Sequence, residues 1–482
     1  MPQVLERKAV EDLQQDLHAV QSLLDRQRIV GTLVARQPPG ADQGVVESLV
    51  QRQDAVELRA LLDRMHPADV AYILEALPLE DRLALWDLVK AERDGEILLE
   101  VTDAVRESLI RDMAPTELVA AAESLDADEI ADLASDLPQE VVQDIFRALP
   151  VEEREQVRAA MSYDDHAVGA LMDFEAVSVR GDVSLEVVMR YLRRFEELPD
   201  HTDQIFVVDR DESLKGALPF ARLIVADPQR EVAEVMIANP FTLYADDHAQ
   251  QAAQAFERYD LVSAPVVDRA GRLVGRVTVD AVVDFIRRKS ESEALAQGGL
   301  RETEDIFASV WGSIRNRWRW LAVNLVTAFV ASRVIGAFEG SIRELVALAA
   351  LMPIVAGIGG NSGNQTITMI VRALALGQVP LEQARKLFAK EVAVALVNGL
   401  IWGGILGVVA WYLYGNPFLG LVMTTAMTLN LMLAALMGVL IPLTMAKLGR
   451  DPAIGSSVLI TAVTDSGGFF IFLGLATVFL LR

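Results

Sequence analysis

The distribution of apolar residues divides the chain into two parts. Up to about position 300, apolar and polar residues alternate at short intervals, whereas after Arg319 long apolar runs dominate. A membrane-spanning helix needs roughly 20 mostly apolar residues. Runs of this kind cover residues 320–338, 346–371, 392–414, 418–446 and 455–481. No charged residue lies between Glu391 and Lys447, where the turn GNP at 415–417 separates two runs. The pattern predicts five membrane spans.

A tandem α/β repeat precedes the apolar part. IFVVD at 205–209 and LKG at 214–216 return as APVVD at 264–268 and LVG at 273–275. Each unit predicts a strand, a helix (184–195 or 250–259) and a turn between two further strands. The repeat resembles a pair of CBS modules, which usually act as regulators. We expect the first module at 163–230 and the second at 231–290.

Residues 46–162 predict a helical repeat domain. Four prolines, each followed within two residues by an acid, stand where short amphipathic helices begin: Pro67, Pro115, Pro138 and Pro150. Such repeats are typical of a superhelix of short hairpins. Residues 1–45 predict one further helix and a linker. The expected fold is therefore multidomain: an α-helical superhelical repeat domain, an α/β tandem CBS pair, a linking helix within 291–319 (about 301–317), and a five-helix α transmembrane domain at 320–482.

Charge and composition exclude several functions. The formal net charge is −24, and the excess of acid lies in the first 300 residues. An acidic surface repels nucleic acid, so DNA and RNA are not expected partners. The chain has no cysteine, which excludes disulfides and thiolate zinc sites, and its five histidines form no ligand-spaced pair. The apolar part has no histidine at all, so an enzyme is not predicted.

Basic residues at the ends of the spans predict the orientation. Three clusters fall on one side of the membrane: Arg315, Arg317 and Arg319; Arg372, Arg385, Lys386 and Lys390; Lys447 and Arg450. Because basic flanks stay in the cytoplasm, the amino terminus is expected there and the carboxyl terminus outside. The predicted location is the cytoplasmic (inner) membrane, with the lipid bilayer as a partner.

Asp465 is a lone carboxylate in the last apolar run. It lies about 15 Å into a hydrocarbon core of roughly 30 Å, where an unpaired charge is costly. No Lys or Arg lies at that depth, so a cation, water or a proton must compensate the charge. Thr461 and Gly468 share its helix face at i−4 and i+3. The alternative is a protonated Asp that forms a hydrogen bond between helices.

Glycines and amides interrupt the second run. Pro353 is followed by GIGGNSGNQ at 357–365, and we expect this segment to break the helix and expose carbonyls in a cavity. The candidate pore-lining residues are Gly359, Gly360, Asn361, Asn364, Gln365 and Gly468. Carbonyl, amide and carboxylate oxygens suit Mg²⁺, which keeps most of its waters. One Asp per chain favours a two-fold homodimer that brings two Asp465 side chains to one pore. Close helix packing is the alternative for the glycines alone.

The order of these parts, with PIVAGIGGNSGNQ and DPAIGSSVLITAVTDSGG in the spans, resembles the MgtE family of magnesium channels over about residues 50–482. The resemblance implies a homodimer whose pore is lined by the second and fifth spans. It also implies that Asp465 holds a hydrated Mg²⁺ with help from the Thr461 carbonyl, and that Asp451 lies near the cytoplasmic mouth.

The regulatory part departs from the family pattern. Family members close when cytosolic Mg²⁺ bridges acids of the soluble domains and the linking helix. Here Ala281 replaces an acid, and Arg287-Arg288-Lys289-Ser290 follows. Ala281 also removes the Asp that would hold an adenosine ribose, so ATP is not an expected ligand. The acids left for regulatory Mg²⁺ are Asp280, Asp284, Glu291, Glu293, Glu302, Glu304 and Asp305. We predict a gate that responds weakly or differently to cytosolic Mg²⁺.

Two other functions stay open from sequence. A cation-coupled secondary transporter of divalent metals would also use a midplane Asp, although no inverted repeat is visible among the spans. A non-conducting sensor would need only the soluble part and would leave Asp465 unexplained.

Overall fold

The structure is a computed structural model that describes residues 10–35, 43–195, 197–300, 305–375, 384–448 and 455–480. These residues form two compact units. The first unit runs to Ser290 and includes Asp305–Ala308, and the second contains the remaining described residues.

The amino-terminal part of the first unit is helical. Its helices are α1 (Val10–Ala35), α2 (Gln43–Leu62), α3 (Pro67–Glu75), α4 (Leu79–Trp86), α5 (Asp94–Glu100), α6 (Asp103–Ile110), α7 (Pro115–Ala122), α8 (Ala127–Ala134), α9 (Gln139–Ala148) and α10 (Val151–Ala160). The predicted helix starts are confirmed: Pro67 and Pro115 are the first residues of α3 and α7, and Pro138 and Pro150 directly precede α9 and α10. One apolar core extends from Val20 of α1 to Val157 of α10. The superhelical winding stays a prediction.

The second part of the first unit is α/β. Its elements are β1 (Ser178–Arg180), α11 (Leu185–Leu192), β2 (Gln204–Val208), β3 (Leu214–Pro219), α12 (Phe220–Val225), α13 (Val232–Val235), β4 (Ile237–Ala238), β5 (Leu243–Tyr244), α14 (Ala249–Tyr259), β6 (Ser263–Val267), β7 (Leu273–Thr278) and α15 (Val279–Gln297). They form two sheets, ordered β1-β2-β3-β4 and β5-β6-β7. In both sheets the first strand pairs parallel to the second, and the second pairs antiparallel to the third. This repetition confirms the predicted CBS pair.

Each repeat has a glycine that lies against a methionine of the other repeat. A side-chain carbon on Gly216 of β3 would lie 2.5 Å from Sδ of Met236, and one on Gly275 of β7 would lie 2.5 Å from Cγ of Met172. Met172 lies before β1, in the first module, and Met236 lies before β5, in the second. The glycines therefore allow the segment before one repeat to cross the sheet of the other.

The second unit is built of long helices. They are α16 (Val310–Ala337), α17 (Glu339–Glu344), α18 (Ala347–Ala375), α19 (Ala384–Tyr414), α20 (Pro417–Lys447) and α21 (Ser456–Leu480). By length and composition, four helices in the described ranges can cross a membrane: α16, α20, α21 and the Arg385–Tyr414 part of α19. α20 is central, because 61% of its most apolar stretch is buried against 6% for α16.

The expected linking helix at about 301–317 is wrong for the residues that the structure describes. α15 ends at Gln297, residues 305–309 form no helix, and α16 starts at Val310 and continues as one helix to Ala337. A turn at Asp305 and a helix cap at Ser309 explain the boundary. Asp305 Oδ1 accepts a bond from the Phe307 amide at 2.8 Å, and Ser309 Oγ accepts one from the Gly312 amide at 3.2 Å. Residues 301–304 lie outside the described residues.

The expected break in the second apolar run is also wrong. α18 continues through Pro353 and the whole glycine segment. Gly359 lies against Asn430 of α20, and Gly363 lies against Ile460 of α21. In a membrane, a break would leave backbone groups without partners, whereas small residues let neighbouring helices approach an intact helix closely. Helix packing, the alternative reading of these glycines, is what the structure contains.

Candidate functional site

Asp465 lies on the third turn of α21, and its side chain is half-buried. No residue within the described ranges pairs with its carboxylate. The preceding residue, Thr464, is fully buried. Its hydroxyl lies 2.9 Å from the Ile460 carbonyl and 3.2 Å from the Thr461 carbonyl. The carbonyl that the resemblance assigns to the ion is therefore held in place one turn before the carboxylate, while the Thr461 side chain is exposed.

The candidate pore-lining residues of α18 fall on two faces. Gly359 and Gly360 are buried against neighbouring helices, whereas Asn361 and Gln365 are exposed at i and i+4 and Asn364 is half-buried. In an isolated protomer, the amide-bearing face of α18 is thus open. Only this face, and not the buried glycine face, is available to line a cavity.

α18 and α21 meet beside Asp465. A side-chain carbon on Gly360 would lie 3.7 Å from Thr464 Oγ1. Gly468, which shares the Asp465 face in sequence, is buried and faces Asn430 of α20. The structure therefore brings the glycine segment and the Asp465 region together, as expected from sequence, but it assigns Gly468 to helix packing.

Two polar residues of the second unit were not identified from sequence. Asn430 is fully buried, and its Nδ2 donates to the Val355 carbonyl of α18 at 2.9 Å. Glu391 of α19 is 4% exposed, and its Oε2 lies 3.5 Å from Thr366 Oγ1 of α18. Asn430 is the one amide side chain in the apolar sequence of α20, a signal that could have identified it.

Metal ligands do not cluster in the described part of the chain. No group of three or more His, Asp or Glu side chains there could hold an ion. Asp451, Glu302 and Glu304 lie outside the described residues. A single carboxylate such as Asp465 cannot build a dehydrated cage, which agrees with a cation that keeps its waters.

The described candidate acids for regulatory Mg²⁺ are divided between the two units. Asp305 Oδ2 pairs with Arg82 Nη1 at 2.7 Å, and the Arg82 side chain is fully buried. Asp280 Oδ1 lies 3.7 Å from His201 Nε2. The others are Asp284 in the first unit and Glu291 and Glu293 on the last part of α15, in the second unit. Asp305 has both oxygens engaged, one by Arg82 and one by the Phe307 amide.

The basic segment after the second CBS repeat contacts the helical domain. Arg288 Nη1 lies 3.1 Å from Asp132 Oδ1 of α8. Asp132 Oδ2 also lies 3.5 Å from Arg106 Nη1, which lies 3.3 Å from Asp136. Lys289 forms a hydrogen bond with Gln250. A guanidinium thus joins α15 and α8.

Acids at the start of α8 have raised pKa values. Burial, followed by the negative charge of Asp173, raises the pKa of Asp128 to about 7. Burial also raises the pKa of the neighbouring Asp126 and Glu129. In α5, burial and the charge of Glu117 raise the pKa of Asp94 to about 6. Near neutral pH the Asp128 carboxyl is therefore only partly ionised, because its buried surroundings disfavour the charged form.

Long apolar helices with a half-buried carboxylate, joined to a helical domain and a CBS pair, are typical of a membrane cation transporter with soluble domains. Family models match three regions: MgtE, a divalent cation transporter, at 352–475; the MgtE intracellular N domain at 65–166; and a CBS domain at 232–288.

Individual relatives cover most of the chain. The magnesium transporter MgtE of Thermus thermophilus is 33% identical over 90% of this chain and 98% of its own length. That of Bacillus subtilis is 26% identical over 88% and 94%. The cytosolic domain of the Mg²⁺ channel MgtE in complex with ATP is 32% identical, covers 50% of this chain and 98% of its own, and superposes with a TM-score of 0.45. The chain belongs to the MgtE family of magnesium transporters, which are membrane ion transporters and not enzymes.

Proposed function

We propose that two copies of this chain form a magnesium channel whose shared pore is lined by α18 and α21, with Asp465 of each copy on a hydrated Mg²⁺. The observation that carries the proposal is the open polar surface of the single protomer. Asn361 and Gln365 are exposed on α18, Thr461 is exposed on α21, and Asp465 has no partner within the described ranges. Lipid cannot satisfy these groups, whereas a second copy and a hydrated ion can.

The proposal includes five spans. α18 has 29 residues, about 43 Å at 1.5 Å per residue, which exceeds a hydrocarbon core of roughly 30 Å. Polar side chains such as Asn361 and Gln365 make the hydropathy of α18 lower than that of the four helices named above. With the amino terminus in the cytoplasm, five crossings leave the carboxyl terminus outside and Asp451 near the cytoplasmic mouth.

Regulation by cytosolic ligands is proposed to be altered. Arg288 supplies a fixed cation at Asp132, so that position needs no Mg²⁺ to offset the acid. Ala281 stands where an adenosine ribose would need an acid, so ATP is not proposed as a ligand.

Uptake in Mg²⁺-starved cells tests the proposal. Asp465→Asn keeps the shape of the side chain and removes its charge, so Mg²⁺ uptake should fall at least about tenfold at unchanged protein level. Glu339→Gln is the matched control, because Glu339 is an exposed carboxylate of the same unit that pairs with Arg343. Normal uptake by Asp465→Asn would refute the proposal.

A coupled transporter predicts a different flux experiment. In proteoliposomes, channel flux of Mg²⁺ follows its own electrochemical gradient and persists after ionophores have removed proton and sodium gradients. Dependence of flux on either gradient would favour the coupled transporter.

A further inference from the structure

Asn430 occupies a fully buried position between two helices that the proposed pore uses. It lies on α20, and its Nδ2 donates to the Val355 carbonyl of α18 at 2.9 Å. That carbonyl lies one turn before Gly359. The bond therefore attaches α20 to α18 at the start of the glycine segment.

Two glycines on different helices make room for this amide. A side-chain carbon on Gly359 would overlap Asn430 Nδ2, and one on Gly468 of α21 would lie 2.7 Å from the same nitrogen and 2.9 Å from Asn430 Cγ. At both glycines, the three nearest atoms are those of the Asn430 amide. We call this space, bounded by Gly359 and Gly468, the amide slot.

The amide slot lies at the level of Asp465. Gly468 follows Asp465 by three residues on the same helix face, and Gly360, next to Gly359, approaches Thr464. Since no residue in the described ranges holds the Asp465 carboxylate directly, its position depends on how α21 is placed against α18. The slot is one of the contacts between these helices on which that placement depends.

A packing role alone does not explain an amide here. Asn430 Oδ1 is buried and has no hydrogen-bond partner among the described residues. An unpaired buried carbonyl oxygen is unfavourable, and an apolar side chain would avoid that cost. Compared with an apolar side chain, the amide adds a hydrogen bond to the Val355 carbonyl. It also fits the short distance between helices that the two glycines permit.

We propose that Asn430 is a positioning residue, whose amide holds α18 and α21 at the spacing at which Asp465 binds the transported cation. The inference rests on the proposed function of Asp465. It gives Gly359 and Gly468 a role as walls of the amide slot instead of as pore lining.

Helix spacing can be measured without any ion. Because the chain has no cysteine, Gly360→Cys and Thr464→Cys in the full-length protein create one reactive pair across α18 and α21. The short distance between these positions predicts fast disulfide formation under a mild oxidant. Adding Asn430→Ala or Asn430→Val should slow it by about threefold or more, because neither variant donates to Val355.

Transport kinetics link the spacing to the ion. In otherwise native protein, Asn430→Val removes the donor and adds no charge. It should raise KM for Mg²⁺ by about threefold to twentyfold, the range of one interhelical hydrogen bond, with a smaller change in maximal rate. Asn398→Ala is the control, because Asn398 is an exposed asparagine of α19, outside the slot.

A second-site variant tests whether Gly468 bounds the amide slot or lines the pore. Gly468→Ala alone should reduce uptake strongly, since its methyl group meets the amide. Combining it with Asn430→Ala removes that obstacle and should restore at least about a third of the loss. If Gly468 instead lines the pore, its methyl group blocks ions whatever stands at 430, and no restoration occurs.

Three results would overturn the inference: unchanged disulfide rates in the Asn430 variants, changed rates with unchanged KM, or no restoration by the double variant. Should Asn430→Ala fail to reach the membrane, Asn430→Val supports or overturns the inference in the rate and KM assays. Absence of Mg²⁺ uptake by the native protein would refute the proposed function, and disulfide rates would still decide whether Asn430 sets the spacing.

Discussion

At the scale of single residues, burial decides what each polar group in this protein can do. Asp465 and Asn430 both interrupt apolar helices. Asp465 is half-buried and has no partner among the described residues, whereas Asn430 is fully buried and donates a hydrogen bond. A charge that stays accessible in a membrane suits a transported cation, whereas a buried amide suits contact between helices. The same principle governs the acids of the first unit.

Asp128 predicts a pH dependence of stability. Its pKa rises to about 7 through burial and Asp173, so the folded state keeps a proton that the unfolded chain releases near pH 4. The stabilisation from this proton is fully present below about pH 4 and is lost as pH rises through about 7. Asp128→Asn cannot ionise. Between pH 5 and 8, its free energy of unfolding should therefore fall less than that of the native protein, by on the order of 1–2 kcal/mol.

Thermal unfolding of the full-length protein in detergent at several pH values measures this difference. Asp112→Asn, an exposed acid of the same domain, is the control and should follow the native protein. Parallel curves for Asp128→Asn and the native protein would contradict the prediction.

At the scale of elements, the glycines of α18 predict how tightly it packs. A methyl group on Gly363 would overlap Ile460 of α21, whereas Gly357 on the same helix faces open space. Gly363→Ala should destabilise the second unit by about 1–3 kcal/mol. Gly357→Ala should be neutral or stabilising, because alanine favours a helix by about 1 kcal/mol. Detergent denaturation of the two variants tests the difference, and equal stability would exclude close packing at Gly363.

The segment before α16 predicts a second effect at this scale. Asp305 is an acceptor for buried Arg82, which also donates to the Leu74 and Leu77 carbonyls and to Ser108. Asp305→Ala should lower the stability of the first unit by about 1–3 kcal/mol, since one charged bond is lost while the others remain. It should also speed proteolysis at 305–308.

The matched control for Asp305→Ala is Glu107→Gln, which removes an exposed pair with Arg111 at 2.6 Å. Exposed pairs of this kind contribute about 0.5 kcal/mol or less. If the two variants behave alike, the buried Arg82 pair does not anchor the segment.

At the scale of the whole molecule, the basic segment after the second CBS repeat predicts how the proposed channel responds to cytosolic Mg²⁺. Arg288 already offsets Asp132, so cytosolic Mg²⁺ gains little by binding there. Arg288→Glu places a second acid opposite Asp132, which Mg²⁺ can bridge. The Mg²⁺ concentration that closes half of the channels should then fall by up to about fivefold, as expected for one exposed pair. Patch currents during Mg²⁺ titration measure it, with Arg193→Glu, an exposed residue of the first CBS module, as the control. An unchanged titration would contradict the prediction.

Local pattern was sufficient for most of the fold. Proline and acid placement predicted the starts of α3, α7, α9 and α10, and the repeated IFVVD and APVVD segments predicted β2 and β6. Runs of apolar residues predicted α16, α18, α19, α20 and α21. These features depend on neighbours a few residues apart, which the sequence displays directly. The charge cost of Asp465 at membrane depth was equally visible, because it depends only on position in the run.

Only the tertiary structure decided which way each helix face turns. Glycines predict both a broken helix and close packing, and the contacts of Gly359 with Asn430 and of Gly363 with Ile460 selected packing. The sequence indicated Asp305 as a candidate metal ligand, but in the structure it forms an ion pair with Arg82, which is far away in the chain. Helix rotation and long-range pairing arise from the fit of whole elements, which the periodicity of one segment does not contain. Asp465 was therefore evident from the sequence, and the residue proposed to position it was not.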